Sequence, residues 1–252
     1  MNEEELDGMV LPGGESTAMG LIGTASTKQD GGMTVWQALR EFIEVKQKPT
    51  WGTCAGMILL AERCVGASAV IQDGQALIGG MDILVCRNYF GSQVSSFEMP
   101  TPPPPGSDAQ SYPGVFIRAP AILSAGSKVE ILGKVVATPC RQAAVVLQEL
   151  ERKIAAGETV VQMGVVDALE RVDGLHHKEV IRSSATNEEE KKEAAPEAPL
   201  QLPGAADGSN AREVICAVKK QNLLCTAFHP ELTNDYRWHS YFAQMVRDNA
   251  KA

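Results

Sequence analysis

Two hydrophobic rhythms alternate along the first sixty or so positions of the chain. MVLPGG (Met9 to Gly14) is a short apolar run stopped by Pro-Gly-Gly, the pattern of a strand entering a tight turn. VWQALREFIEVKQ (Val35 to Gln47) places Val35, Leu39, Phe42 and Ile43 at helical spacing. PTWGTC then predicts a strand that turns at Gly52. AGMILLAERC predicts a helix that is apolar nearly all round and therefore buried. Strand, turn, helix, twice over, is the rhythm of an α/β domain with a parallel sheet.

Further on, the apolar runs shorten. DILVCRN, GVFIRAP, KVEILGKVVA and EVICAVKK all predict strands, and LLCTAFHPEL predicts one that ends in a loop at His229. DYRWHSYFAQMVRDNA sets Trp238, Tyr241, Phe242, Met245 and Val246 on one face of a closing helix. RQAAVVLQELERKIAAG sets Val146, Leu147, Leu150 and Ile154 at helical spacing, with Gly157 as its stop. Two stretches break the pattern. Met99–Gly114 is Pro-rich and predicts a surface loop of polyproline character. Ser183–Ala211 is charged, nearly without aromatics and unable to bury enough apolar area to offset its ordering entropy, so disorder is expected. The reading is of one domain over residues 1–252.

Composition narrows the function classes. At 44% hydrophobic and 21% charged, the chain of 252 residues has the makeup of a globular domain with a sizeable core. A net charge of −8 argues against a nucleic-acid partner. No apolar run approaches the length of a membrane span, and the acidic start MNEEELDG has no apolar signal region. Six cysteines without a CxxC pair, in a chain with no secretion signal, are read as reduced thiols of the cytoplasm.

One of the six stands apart. Cys54 lies in GTCAG, between a strand and a helix. Small neighbours at such a bend suit a nucleophile on a strained turn, where helix N–H groups favour the thiolate and can hold an oxyanion. The same residues also suit a buried cysteine in a Gly-rich turn. In FHPEL, His229 ends a strand and Glu231 follows at i+2, a spacing that lets a carboxylate orient an imidazole. His176, His177 and His239 have no such setting and read as packing or surface residues. PGGES (Pro12 to Ser16) opens a turn whose N–H groups could hold a carboxylate or oxyanion.

Taken together, LPGGEST, WGTCAGMILLA and FHPELTNDYRWHSYF, with RNYFGSQVSSFE and GVFIRAP between them, resemble the glutaminase subunit of pyridoxal 5′-phosphate synthase. That is a class I (triad) glutamine amidotransferase, and the likeness runs over Leu6–Leu132 and Val214–Val246. The resemblance implies an α/β fold of the class I glutamine amidotransferase (flavodoxin-like) type, a mostly parallel sheet with helices on both faces. It implies Cys54 as the nucleophile on the carboxamide of L-glutamine, His229 as base and acid, and Glu231 as the group orienting His229. The N–H groups of Gly14 and Ala55 would form the oxyanion hole. Gly14, Glu15, Ser16, Arg87, Ile117 and Arg118 would hold glutamine. No metal or cofactor is implied. The implied partner is a TIM-barrel synthase subunit that takes up the ammonia, and whose docking sets the oxyanion hole.

Two departures stand out. Family members carry a strand, a Gly-rich loop and a helix before PGGES, whereas Pro12 is preceded here by only eleven residues. The expectation is a chain without its first strand–helix unit: either a fragment of a longer protein, or a truncated form that is unstable or inactive. Residues 140–211, including the expected disordered run, form an insertion. The alternatives to a working glutaminase are therefore a non-catalytic binding subunit of the synthase and, on the same fold, another cysteine hydrolase such as a peptidase.

Overall fold

The structure is a computed structural model that describes residues 6–25, 33–66, 76–91, 96–156 and 211–251. Its first strand, β1 (Met9–Leu11), pairs in parallel with β2 (Thr50–Thr53), all four of whose residues are buried. A strand near the other end of the chain, β10 (Leu223–Thr226), pairs in parallel with the opposite edge of β2 and is likewise buried throughout. Burial on both faces is why β10 reads as an apolar run rather than as an alternation.

Around these strands lies an eight-stranded sheet in the order β1-β2-β10-β9-β7-β4-β3, with β8 also paired to β9. Here β3 is Ala61–Val65, β4 Met81–Cys86, β7 Ala121–Ala125, β8 Glu130–Ala137 and β9 Arg212–Lys220. Among the described residues, parallel pairing is confined to β1–β2–β10 and β3–β4, and β7, β8 and β9 pair antiparallel.

Between β1 and β2 run α1 (Ser16–Thr24) and α2 (Val35–Arg40), the latter continuing into a π-helical turn (Glu41–Val45). Thr34 caps α2 in a reciprocal capping box with Gln37. Gly23 of α1 lies against the Trp36 ring so closely that a Cβ there would come within 2.1 Å of it. The closing helix, α5 (Arg237–Asn249), buries Trp238 and Phe242 and packs Tyr241, Met245 and Val246 on the core, as its spacing predicts.

Three sequence readings need correction. The helix expected over AGMILLAERC is two elements: α3 (Ala55–Leu60) ends where Ala61 turns extended (ψ 146°), and Ala61–Val65 is β3. A fully apolar run has no periodicity to mark that switch. The turn expected at Gly52 comes at Cys54, since Gly52 and Thr53 still belong to β2. The Pro-rich segment is a loop only over 102–111. Its ends belong to a hairpin of β5 (Ser96–Thr101) and β6 (Tyr112–Ile117), in which Pro100 faces Pro113 and Met99 faces Gly114. Prolines are tolerated because each strand of a two-stranded ribbon keeps one free edge.

The helix read after Cys140 is α4 (Arg141–Ala155), which buries Ala143, Leu147 and Leu150. Its expected stop at Gly157, His176 and His177, and the expected disordered run up to residue 210 lie outside the described residues.

Candidate active site

Parallel strands bring their carboxyl ends to one edge of a sheet, and ligand sites of α/β folds form there. Leu11 stands opposite Gly52, and Thr226 opposite Thr53. The chain leaves β2 through Cys54, whose φ of 48° and ψ of −104° are a strained conformation for a residue with a side chain. Its N–H donates to the Thr226 carbonyl at 2.9 Å. Two residues on, the Gly56 N–H donates to the Pro12 carbonyl at 3.2 Å, and a Cβ on Gly56 would stand 2.1 Å from the Leu11 carbonyl oxygen. GTCAG therefore needs its second glycine so that α3 can start hard against the end of β1.

The nucleophile candidate is 6% exposed. Burial pushes its thiol up to about 11, the Ala55 N–H pulls it down, Glu231 pushes up and Arg118 pulls down. The sequence reading had helix N–H groups favouring a thiolate. The structure differs because α3 has only six residues and a single N–H, that of Ala55, answers the sulphur, so desolvation wins. With the thiol held up by burial, a base beside it serves to take the proton as the sulphur attacks.

His229 follows β10 and precedes a 3-10 turn, Pro230–Leu232. Its Nδ1 stands 2.7 Å from Glu231 Oε1, and its Nε2 is buried with no hydrogen-bond partner. The N–H of His229 donates to the Val115 carbonyl of β6 at 2.8 Å. Gly13 backs the imidazole: a Cβ there would lie 2.4 Å from His229 Cε1. The PGGES turn thus touches the histidine directly, through Gly13. Gly14 has a φ of +151°, which side chains rarely allow.

Glu15 caps α1, accepting from the N–H groups of Thr17 at 3.2 Å and Ala18 at 2.6 Å. Burial works against its charge, but these N–H groups, the Thr17 hydroxyl and Arg87 together hold the carboxyl below the usual range. Arg87, buried at the end of β4, donates to Thr17 Oγ1 at 3.0 Å and stands 3.8 Å from Glu15. Ser16 is buried at the start of α1. Ile117 ends β6 half-buried, and Arg118 after it has a φ of 47° and lies close enough to act on the Cys54 charge.

Two groupings result. Cys54, His229, Glu231, Gly13 and Arg118 form one, and Glu15, Thr17 and Arg87 the other. Thr17 and Gly13 were not singled out in the sequence; LPGGEST contains both, yet nothing in it says which of its residues touch the site. His239 packs edge-on against Trp51, ring centroids 5.4 Å apart. No group of three or more His, Cys, Asp or Glu side chains converges as a metal site among the described residues, nor is any helix there long and apolar enough to cross a membrane.

Beyond Glu231, Asp235 is bonded by the Arg237 guanidinium, with Nη2 at 2.6 Å and Nε at 3.0 Å, and Arg237 also reaches Asp108 Oδ1 at 2.6 Å. The Arg237 bonds hold the Asp235 carboxyl below the usual range, against its partial burial. A depressed folded-state value means that the unfolded chain takes up the proton first. The stabilisation is therefore complete above the ordinary carboxylate range and lost as pH falls through the lower folded value. Chemical denaturation between pH 6 and pH 3 should show a shallower acid loss in Asp235→Asn than in the wild type, starting from a lower stability at pH 6.

A cysteine at a strained strand–helix turn, with a His–Glu pair from a later strand on the same sheet edge, is an arrangement suited to nucleophilic attack on a carbonyl carbon. Residues 2–175 match the SNO glutamine amidotransferase family, and the chain belongs to it. Among its relatives are the probable pyridoxal 5′-phosphate synthase subunit PDX2 of Arabidopsis thaliana, 36% identical over 95% of this chain and 71% of that protein, and the pyridoxal 5′-phosphate synthase subunit PdxT of Methanocella arvoryzae, 32% identical over 95% of this chain and 77% of that protein. A solved structure described as a glutamine amidotransferase superposes with a TM-score of 0.55 at 25% identity, covering 97% of this chain and 81% of that one. The fold is accordingly the α/β fold of the class I glutamine amidotransferases.

Proposed function

We propose that this chain is a glutaminase subunit that hydrolyses L-glutamine to glutamate and ammonia and passes the ammonia to a pyridoxal 5′-phosphate synthase subunit of TIM-barrel fold, in the cytoplasm. The observation that carries the reading is the His229 Nδ1 to Glu231 Oε1 bond of 2.7 Å, with a buried, unpartnered Nε2 on the other side of the ring. An imidazole so held has one nitrogen fixed and the other free to take a proton. The relatives' names supply the synthase.

In this mechanism His229 Nε2 takes the Cys54 thiol proton as the sulphur attacks the carboxamide carbon. The N–H groups of Ala55 and Gly14 bind the resulting oxyanion. Its collapse breaks the C–N bond, His229 returns the proton to the leaving nitrogen, and ammonia departs. Water, deprotonated by the same imidazole, then attacks the γ-glutamyl thioester, the C–S bond breaks to release glutamate, and the imidazole returns the proton to the sulphur, regenerating the thiol. Arg87 and Glu15 are of opposite charge, as a zwitterionic amino acid requires, and with Ser16, Ile117 and Arg118 they complete the glutamine pocket.

Glutamate release from glutamine, measured with and without the barrel subunit, tests the proposal. Turnover is expected with the partner present. No glutamate in its presence, together with measurable binding to it, would replace the reading by that of a non-catalytic binding subunit.

A further inference from the structure

The catalytic pair stands on a short support. The 3-10 turn Pro230–Leu232 is closed by the Leu232 N–H to the His229 carbonyl at 3.2 Å and the Thr233 N–H to the Pro230 carbonyl at 3.3 Å. The Glu231 side chain is about half exposed, at 47%. The direction of its carboxylate therefore depends on how firmly the backbone of residues 230–235 is held from outside.

Tyr112 holds it. This residue opens β6, and its ring is fully buried between Phe228, at a centroid distance of 5.5 Å, and Trp238, at 6.5 Å. The Arg237 guanidinium lies 5.8 Å from the ring centre. Its hydroxyl stands 2.9 Å from Thr233 Oγ1, 3.2 Å from the Asp235 carbonyl oxygen and 3.5 Å from the Pro230 carbonyl oxygen. Thr233 Oγ1 in turn lies 3.2 Å from the Pro230 carbonyl and 3.3 Å from that of Asp235, and it accepts the Asp235 N–H at 3.3 Å. Two hydroxyl protons thus serve the two carbonyls that flank Glu231 and the residues after it. Packing alone does not require this: a phenylalanine would make every one of the ring contacts.

We infer that Tyr112, through its hydroxyl and that of Thr233, is a positioning residue for the His229–Glu231 pair. It touches neither substrate nor the reacting atoms. It fixes the turn that aims the Glu231 carboxylate at the imidazole and so holds the base over Cys54. The inference rests on the glutaminase reading for its kinetic readout, so the test includes one readout that does not.

Tyr112→Phe, Thr233→Val and Thr233→Ser are compared with the wild type in the presence of the barrel subunit. In Tyr112→Phe and Thr233→Val, kcat for glutamate release should fall roughly tenfold, as expected for a base displaced by a fraction of an ångström. KM for glutamine should stay within about twofold, because the Glu15–Arg87 grouping is untouched. Thr233→Ser keeps the hydroxyl and should restore kcat. Independently of turnover, the low-field proton resonance of the imidazole N–H bonded to Glu231, assigned by its disappearance in Glu231→Gln, should be lost or broadened in Tyr112→Phe. A kcat within about twofold of wild type, or a lower kcat with that resonance unchanged, overturns the inference. A wild type that releases no glutamate defeats the proposed function alone, and the proton resonance still decides the role of Tyr112.

Discussion

Glutamate release is expected to vanish in Cys54→Ala, with a loss of about four orders of magnitude or more, because no neighbouring group can replace the sulphur as nucleophile. The other five cysteines are poor substitutes: Cys64, Cys86, Cys216 and Cys225 are buried in the core, and Cys140 stands just ahead of α4 with its Sγ 3.2 Å from the Asn88 carbonyl oxygen. The same position should show an inverted order of stability. Glycine in place of alanine ordinarily costs stability through the freedom it adds to the unfolded chain. At φ 48° and ψ −104°, however, a Cβ is strained, so Cys54→Gly should unfold at a higher denaturant concentration than Cys54→Ala, by about 1 kcal/mol. The reverse order would mean that the turn relaxes once the sulphur is gone and that no strain is held there. Alkylation of Cys54 by iodoacetamide gives a third view. With the thiol pushed up to about 11 by burial, the rate in the free subunit should rise by about tenfold per pH unit up to pH 9 or beyond. A plateau near neutral pH would show a pre-formed thiolate instead.

The second large effect is expected where there is no side chain. A Cβ on Gly13 would meet His229 Cε1 at 2.4 Å and Nδ1 at 3.0 Å, so Gly13→Ala must drive the imidazole away from its place. The ring cannot move without lengthening the 2.7 Å bond to Glu231 or shifting relative to Cys54. Displacements of this size cost about 10²-fold in reactions that depend on positioning. The expected result is a kcat reduced about a hundredfold in a protein whose far-ultraviolet circular dichroism is unchanged, since β1 ends before Gly13. A kcat within about threefold of the wild type would show that the ring has room the structure does not give it.

Much of this site can be read before any coordinates, for a local reason. The strand–turn–helix signal around Cys54, the i+2 spacing of His229 and Glu231 and the turn at Pro-Gly-Gly are each carried by fewer than ten consecutive residues. What could not be read depends on partners distant in sequence. Gly13 and Gly14 are indistinguishable in the sequence, and only the return of β10 beside β2 puts an imidazole against the first. Tyr112 looks like one more residue of the Pro-rich loop until its hydroxyl meets residues more than a hundred positions away. The helix that stops at Leu60 fails to show because every residue from Ala55 to Leu60 is buried, which removes the polar face that would mark its period. The setting of the Cys54 thiol is hidden for a related reason. A motif names the donors near a sulphur but not how much water the fold takes away.

The ion pair between Glu151 on α4 and Arg212 at the start of β9, 2.6 Å long, is worth little as a bond on a surface. Its importance lies in what it says about the two ends it joins. Glu151 lies about one turn before α4 ends and Arg212 opens β9, so two elements 61 positions apart in the chain are clamped side by side. Through β9 the clamp reaches β10, which pairs with β9 and is followed by His229, so α4 braces the part of the sheet that carries the candidate base.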